Sequence, residues 1–200
     1  MPSGPRPADR VADLPGLAAN PGPEPLPIAI RLETPGDEPG VRHVHELAFP
    51  GPEEAAIVDA IRSLAPAGWQ SVVATEGGGR IVGHVLLSPC AVEDEAGGRV
   101  AEVLALGPIG VLPEVQFRGV GSALIAASVS LAVARGVPAL VLLGQPGYYP
   151  RFGFGSARAQ GLEPPAQAWP DEAWMAKLLP AWSDACRGTV RYPQAFEPLA

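Results

Sequence analysis

One stretch constrains this chain more than any other: an apolar strand that runs into a glycine-bearing loop, with a helix starting inside the loop. It reads Val111-Leu112-Pro113-Glu114-Val115-Gln116-Phe117-Arg118-Gly119-Val120-Gly121-Ser122-Ala123-Leu124. Glycines in such a place remove Cβ atoms where a ligand must touch the backbone. The first turn of a helix leaves its N–H groups without intrahelical partners, so several amides converge on one point suited to phosphate. A close-packed strand–helix turn would need the same glycines, and the local pattern of Gln116-x-x-Gly119-x-Gly121 leaves that reading open. Two better-known phosphate loops do not fit. A Walker loop places Lys and then Ser or Thr after its last glycine, whereas Ser122-Ala123 follow here. The dinucleotide fingerprint needs a third glycine, and Leu124 stands there.

The flanking segments can be read by period and punctuation. A strand is expected over 28–32, then helix-start chemistry at Thr34, Pro35 and Asp37. Val41, Val44, Leu47 and Ala48 repeat at helical spacing until Pro50-Gly51-Pro52 interrupts. In a second helix Ala56, Ile57, Ala60, Ile61 and Leu64 are expected to share a face. Ser71–Thr75 and Arg80–Leu87 form a hairpin across Gly77-Gly78-Gly79, and Ala96-Gly97-Gly98 turns the chain into an extended segment from Val100 to Val111. Gly107-Pro108 interrupts that segment. Proline cannot donate to a sheet ladder, so a bulge or a splayed strand is expected there. The helix after the loop should end at Arg135-Gly136, with Val120, Leu124, Ala127, Leu131 and Ala134 as its buried stripe. Ala139–Leu143 is continuously apolar and reads as a buried central strand. Trp174–Leu179 and Gly188–Tyr192 are expected as a last pair of strands. This order predicts an α+β domain with a mixed sheet.

Composition narrows the function classes. With 47% hydrophobic and 18% charged residues in 200, one globular domain is expected over 28–200. Residues 1–27 hold eight prolines and three glycines without apolar periodicity, which predicts a flexible Pro-rich tail. A net charge of −7 argues against nucleic acid as a partner. No signal peptide or membrane-spanning run is seen. The two cysteines, Cys90 and Cys186, imply no disulfide framework, so a soluble cytoplasmic protein is expected. His43 and His45 point to different faces of one helix and make a poor metal pair, and no metal site is expected.

The motif Val111-x-Pro113-x-x-Gln116-x-Arg118-Gly119-x-Gly121-x-x-Leu124 resembles that of the GNAT superfamily of N-acetyltransferases. About thirty residues on, Tyr148-Tyr149-x-Arg151-Phe152-Gly153-Phe154 resembles the second landmark of the family. The pair, in this order and flanking an apolar strand, is far more specific than either part. Ala48-Phe49, Val58–Arg62, Leu106-Gly107-Pro108, Leu143-Gly144 and Gly188-Thr189-Val190-x-Tyr192-Pro193-x-Ala195-Phe196 are similar to a bacterial, YhbS-like branch. The likeness covers about Ile28 to Phe196. It implies a mixed, mostly antiparallel sheet with flanking helices and a splayed pair of central strands, and acetyl-CoA as co-substrate. By motif, the amides of Gln116, Phe117, Arg118, Gly119, Val120, Gly121 and Ser122 would cradle the pyrophosphate. Ile109, Gly110 and Val111 would pair with the pantetheine arm.

Transfer of an acetyl group to an amine needs a neutral amine, a polarised carbonyl and a proton for the departing thiolate. The resemblance assigns the last role, general acid, to Tyr149. Glu102, on the strand leading to the site, is a candidate base, with a solvated strand carboxylate as the plainer reading. His84 is a weaker candidate that reads more simply as a hydrogen-bonded core histidine. The expected acceptor is a small-molecule amine or a peptide amine, the acidic net charge leaning towards a cationic one. A non-catalytic CoA-binding regulatory module is the alternative, and the oligomeric state, a homodimer included, stays open.

Overall fold

The computed structural model describes residues 24–65, 67–193 and 196. Most of the expected tail (1–23) and Ala195 of the C-terminal motif lie outside the described residues. Residues 24–26 dock on the opening loop: Leu26 N–H donates to the Arg118 carbonyl at 3.1 Å, and Arg118 Nε donates to the Glu24 carbonyl at 3.1 Å.

Strand β1 (Ala29–Leu32) leads to helices α1 (Glu38–Ala48) and α2 (Glu53–Leu64). Strands β2 (Gln70–Glu76), β3 (Arg80–Glu93) and β4 (Arg99–Val111) follow as an antiparallel meander. Helix α3 (Val120–Arg135) then returns the chain to β5 (Ala139–Leu143), which lies parallel to β4. Four short strands finish the described chain: β6 (Gly155–Ser156), β7 (Leu162–Glu163), β8 (Trp174–Leu178) and β9 (Gly188–Arg191). The sheet order is β1-β2-β3-β4-β5-β8-β6, with β9 joining β3 to β7. This is the mixed, mostly antiparallel sheet expected.

The last two strands do not pair with each other. Strand β8 pairs with β5 and β6, while β9 takes the edge of β3 beyond the end of β2, at Ala91–Glu93. Strand β3 is long because two partners share one of its edges in turn. The sheet therefore carries two cores. Val41, Val44, Ile61, Val120 and Leu124 belong to one, under the helices; Cys90, Val103, Trp174 and Val190 belong to the other, under the C-terminal strands.

The helices form where expected, but their buried faces are shifted. On α1, Leu47 is 48% exposed and His45 is fully buried beside Val41 and Val44. Leu47 follows Val41 by six residues, which puts it about a third of a turn off that face. On α2 the core takes Ala55, Ile57, Val58 and Ile61, leaving Ala56 exposed and Leu64 61% exposed. On α3 it takes Val120, Leu124, Ile125, Ser128 and Ala132, with Ala134 exposed and Ala127 and Leu131 half-buried.

His45 begins a buried polar chain. Its Nε2 lies 2.7 Å from His84 Nδ1, His84 Nε2 lies 2.7 Å from Ser71 Oγ, and Ser71 Oγ bonds to Glu33, whose carboxylate is held by Arg62. A carboxylate only accepts, so the one Ser71 proton goes to Glu33. Ser71 then accepts from His84 Nε2–H, and His84 Nδ1 accepts from His45 Nε2–H. Both rings are neutral. Burial pushes His45 down to about 4, and it pushes His84 well below the ordinary histidine value. A histidine whose folded pKa is lowered adds stability above its unfolded value, and that stability is lost as pH falls. The melting temperature should therefore fall steadily from pH 6.5 towards 4, starting at a pH too high for carboxylates to cause. His45→Phe keeps a ring beside Phe49 and should make this decline shallower, with His84 accounting for what is left. An equal decline in the variant would exclude His45 as a contributor.

Candidate active site

The sheet opens where Pro108 interrupts it. Strand β4 pairs with β5 only at Leu104–Leu140 and Ala105–Val141. On its other edge Val85 faces Ile109 and Leu87 faces Leu106, so Leu86 alone opposes Gly107 and Pro108. That is the expected bulge. Past it the edge of β4 facing β5 is unpaired through Val111, which leaves backbone donors and acceptors of Ile109–Val111 facing a gap.

The opening loop closes one end of this gap. A short helical turn, Pro113–Val115, follows the strand, and the side-chain amide of Gln116 donates to the Val111 carbonyl at 3.1 Å. Gly119, with φ 85°, stands at the start of α3, and no side chain caps that end. Ala123 N–H bonds to the Gly119 carbonyl at 3.0 Å, so the amides before it have no intrahelical acceptor. A Cβ on Gly121 would come within 2.8 Å of the Tyr148 hydroxyl, so only glycine leaves the wall of the groove flat here.

Two cavities adjoin the gap. A groove of about 510 Å³ runs from Gly119, Gly121 and Ser122 along Ile109 and Val111. A second cavity of about 640 Å³ opens beyond Pro108 under the C-terminal strands. They share Phe49, Ile109, Gln145, Tyr148 and Tyr149. Tyr149 thus stands at the junction. Its ring fits because residue 144 is glycine: a Cβ there would lie 2.4 Å from Tyr149 Cε2. Tyr148 and Phe154 hold the ring edgewise, at 5.2 and 5.9 Å between centroids. Burial, with a smaller contribution from Tyr148, pushes the phenol up to about 12, so it keeps its proton at neutral pH.

Most of the residues singled out in the sequence meet here. Ile109, Val111, Gln116, Phe117, Gly119, Gly121 and Ser122 line the groove with Tyr149. Three others do not present side chains to it. Gly110 faces α1, Val120 is buried against Gly83, and Arg118 turns to residue 24. Glu102 is elsewhere. It pairs with Arg99 at 2.6 Å and with Arg135 at the far end of α3, and it lines neither cavity. From the start of α3 to Arg135 is roughly 24 Å at 1.5 Å per residue, so Glu102 is not brought to the junction. His84 is the core histidine of the plainer reading. Among the described residues, no cluster of three or more His, Cys, Asp or Glu could hold a metal, and no helix is long and apolar enough to cross a membrane.

Other site residues carried no readable role in the sequence. Phe49 comes from the end of α1 and stacks on His45, 5.7 Å between centroids. Arg151 lies 4.0 Å over the Tyr148 ring and brings a cation to the groove. Arg151 sits inside the second landmark, so its neighbour Phe152 and the tyrosine pair could have flagged it.

Known proteins share this fold. The profile of the acetyltransferase (GNAT) domain matches residues 29–157. The uncharacterized N-acetyltransferase YhbS of Escherichia coli K12 is 30% identical over 172 residues, covering 84% of this chain and 97% of that protein. YjhQ of the same strain is 28% identical over 158 residues, 78% of this chain and 86% of that one. The crystal structure of E. coli YhbS in complex with CoA superposes with a TM-score of 0.76 at 26% identity, covering 87% and 94% of the two chains. A GNAT family acetyltransferase from Brucella melitensis in complex with acetyl-CoA gives 0.68 at 31% identity, covering 85% and 98%. With the splayed strands, the uncapped glycine loop and the tyrosine at the junction already in place, these matches show that the chain belongs to the GNAT family of N-acetyltransferases.

Proposed function

We propose that this protein transfers the acetyl group of acetyl-CoA directly to a primary amine. The observation that carries this reading is the meeting of two cavities at Tyr149. One ends on the bare amides of α3; the other is a separate chamber with room for an acceptor. A CoA-binding module without catalysis would have no use for the second chamber. The relatives bound to CoA and acetyl-CoA support the choice of donor.

The groove fits this donor by its chemistry. The amides from Gly119 to Ser122, aided by the α3 dipole, would hold the pyrophosphate. The unpaired edge of Ile109–Val111 would hydrogen-bond the pantetheine amides as a neighbouring strand would. The thioester then lies at the wall shared by the cavities. The neutral amine attacks its carbonyl carbon, the C–S bond breaks, and the Tyr149 hydroxyl gives its proton to the leaving sulfur. The proton released by the amine passes to solvent, and a solvent proton returns Tyr149 to the phenol.

The position of the thiols supports direct transfer. Cys90 lies in the C-terminal core and burial pushes its thiol up to about 12, while Cys186 lines neither cavity. Neither can carry the acetyl group between donor and acceptor. Both cysteines are unpaired, which suits a cytoplasmic location. The test is release of free CoA thiol from acetyl-CoA on addition of amines; acetyl-CoA binding without amine-dependent release would leave only the binding module. In the same assay Glu102→Gln should turn over within about twofold of wild type, because its carboxylate serves Arg99 and Arg135. A loss of 100-fold, the scale of a missing base, would restore Glu102 to the mechanism.

A further inference from the structure

The acceptor chamber has a chemistry distinct from that of the whole chain. A net charge of −7 suggests cationic substrates in general, but the chamber concentrates almost none of that charge. Its walls are aromatic: Phe49 from α1, and Trp169, Tyr192 and Phe196 from the C-terminal segments. Trp169 meets Tyr192 edgewise at 5.6 Å, and Tyr192 meets Phe196 at 5.1 Å, so these rings form one continuous surface. Among the described lining residues Glu54 is the single carboxylate, and it makes no ion pair with any described residue. Arg191 is the single guanidinium in the chamber besides those rings, and Glu93 already accepts from its Nε at 2.8 Å.

From this lining we infer that the acceptor is a monoamine carried on an apolar, aromatic or comparably flat body, its ammonium first received by Glu54 and losing a proton to solvent before the neutral nitrogen attacks. The inference rests on the acetyltransferase reading of the site. Three features select this class. A volume of about 640 Å³ lies within the range of small-molecule sites and suits one compact ligand. Aromatic faces bind flat apolar groups and tolerate a nearby cation, whereas they leave the hydroxyls of a sugar without partners. A polyamine or a basic peptide would bring several charges to a chamber with one carboxylate, and each extra charge would be desolvated without a partner. Glu54 stands in the first turn of α2, two residues past the Pro50-Gly51-Pro52 break and five past Phe49, so the corner between α1 and α2 brings both an apolar wall and an anion.

The experiment measures binding and turnover separately. Acetyl-CoA binding by calorimetry comes first; its failure would remove the acetyltransferase reading and is recognised before any amine is added. With donor binding established, 2-phenylethylamine, spermidine and a lysine-containing basic peptide are compared by thiol release, and by melting shift in the presence of CoA. The expected result is a kcat/KM for phenylethylamine at least tenfold above those of spermidine and the peptide, with a melting shift for it alone. Glu54→Gln should raise its KM about tenfold with kcat within twofold, and Glu54→Asp should recover most of that loss. Preference for spermidine or the peptide would overturn the inference. So would the absence of any shift with phenylethylamine while acetyl-CoA still binds.

Discussion

Tyr149→Phe should lower acetyl transfer by 100- to 10,000-fold, the range of a lost general acid, while leaving acetyl-CoA affinity within about twofold. The substitution removes one oxygen and keeps the ring. The contacts that seat the ring, against Gly144, Tyr148 and Phe154, are made by carbon atoms and survive. What disappears is the proton for the departing thiolate. Burial holds the phenol at about 12, so it is fully protonated when the thiolate forms and gives no falling limb to the pH–rate profile below about pH 11. Thiol release at saturating acetyl-CoA measures the effect, and an unchanged melting temperature shows that the fold is intact. Equal turnover by the two proteins would mean that solvent, rather than Tyr149, protonates the sulfur.

The second large effect is expected at Gly121. A Cβ at this position comes within 2.8 Å of the Tyr148 hydroxyl. That oxygen is the free end of a side chain, so the fold can give way by turning Tyr148. Tyr148 carries Arg151 on its face and lines both cavities, and turning it spoils the groove. Gly121→Val should therefore weaken acetyl-CoA by about 100-fold, or about 2.8 kcal/mol, with Gly121→Ala weakened about tenfold. Stability should move the other way or not at all, because alanine and valine both exceed glycine in helix propensity, alanine by up to about 1 kcal/mol. A variant that binds poorly yet melts no lower than wild type separates a steric effect in the groove from misfolding. Wild-type affinity in Gly121→Val would mean that the donor lies elsewhere.

Local features of the sequence carried the donor side of this site. The loop, the break at Pro108 and the apolar run of β5 are contiguous signals, and each has few structural solutions. Proline removes a donor, and a bulge absorbs it; a strand apolar on both faces must be central. The helix faces were less legible. Helix α3 is apolar nearly all round, so several stripes fit its sequence equally well, and the choice of Ile125 and Ser128 over Ala127 and Leu131 is made by what the sheet presents. The burial of His45 is not legible in the sequence because it depends on His84, 39 residues away, and on a chain that continues through Ser71 to Glu33, themselves 38 residues apart.

The acceptor side shows the same limit. Phe49, Glu54, Trp169, Tyr192 and Phe196 come from segments with no common spacing, and the fold alone assembles them. Glu102 misled for a related reason. Its strand does lead to the site, but the residue lies before the bulge, at the end of the sheet where α3 finishes and Arg135 waits for it. Strand identity is readable from pattern; distance along a strand from the reacting atoms is set by register.

The central claim is that the uncapped start of α3 holds the pyrophosphate of acetyl-CoA. Calorimetric titration of the protein with acetyl-CoA and with acetyl-pantetheine, which carries the same thioester and arm but lacks the pyrophosphate and the nucleoside phosphate beyond it, tests it, with adenosine 3′-phosphate titrated alongside to measure the nucleoside's own share. One acetyl-CoA per chain is expected, with at least 100-fold weaker binding of acetyl-pantetheine, a difference of about 2.8 kcal/mol. Equal affinities, or no heat with acetyl-CoA, would contradict it.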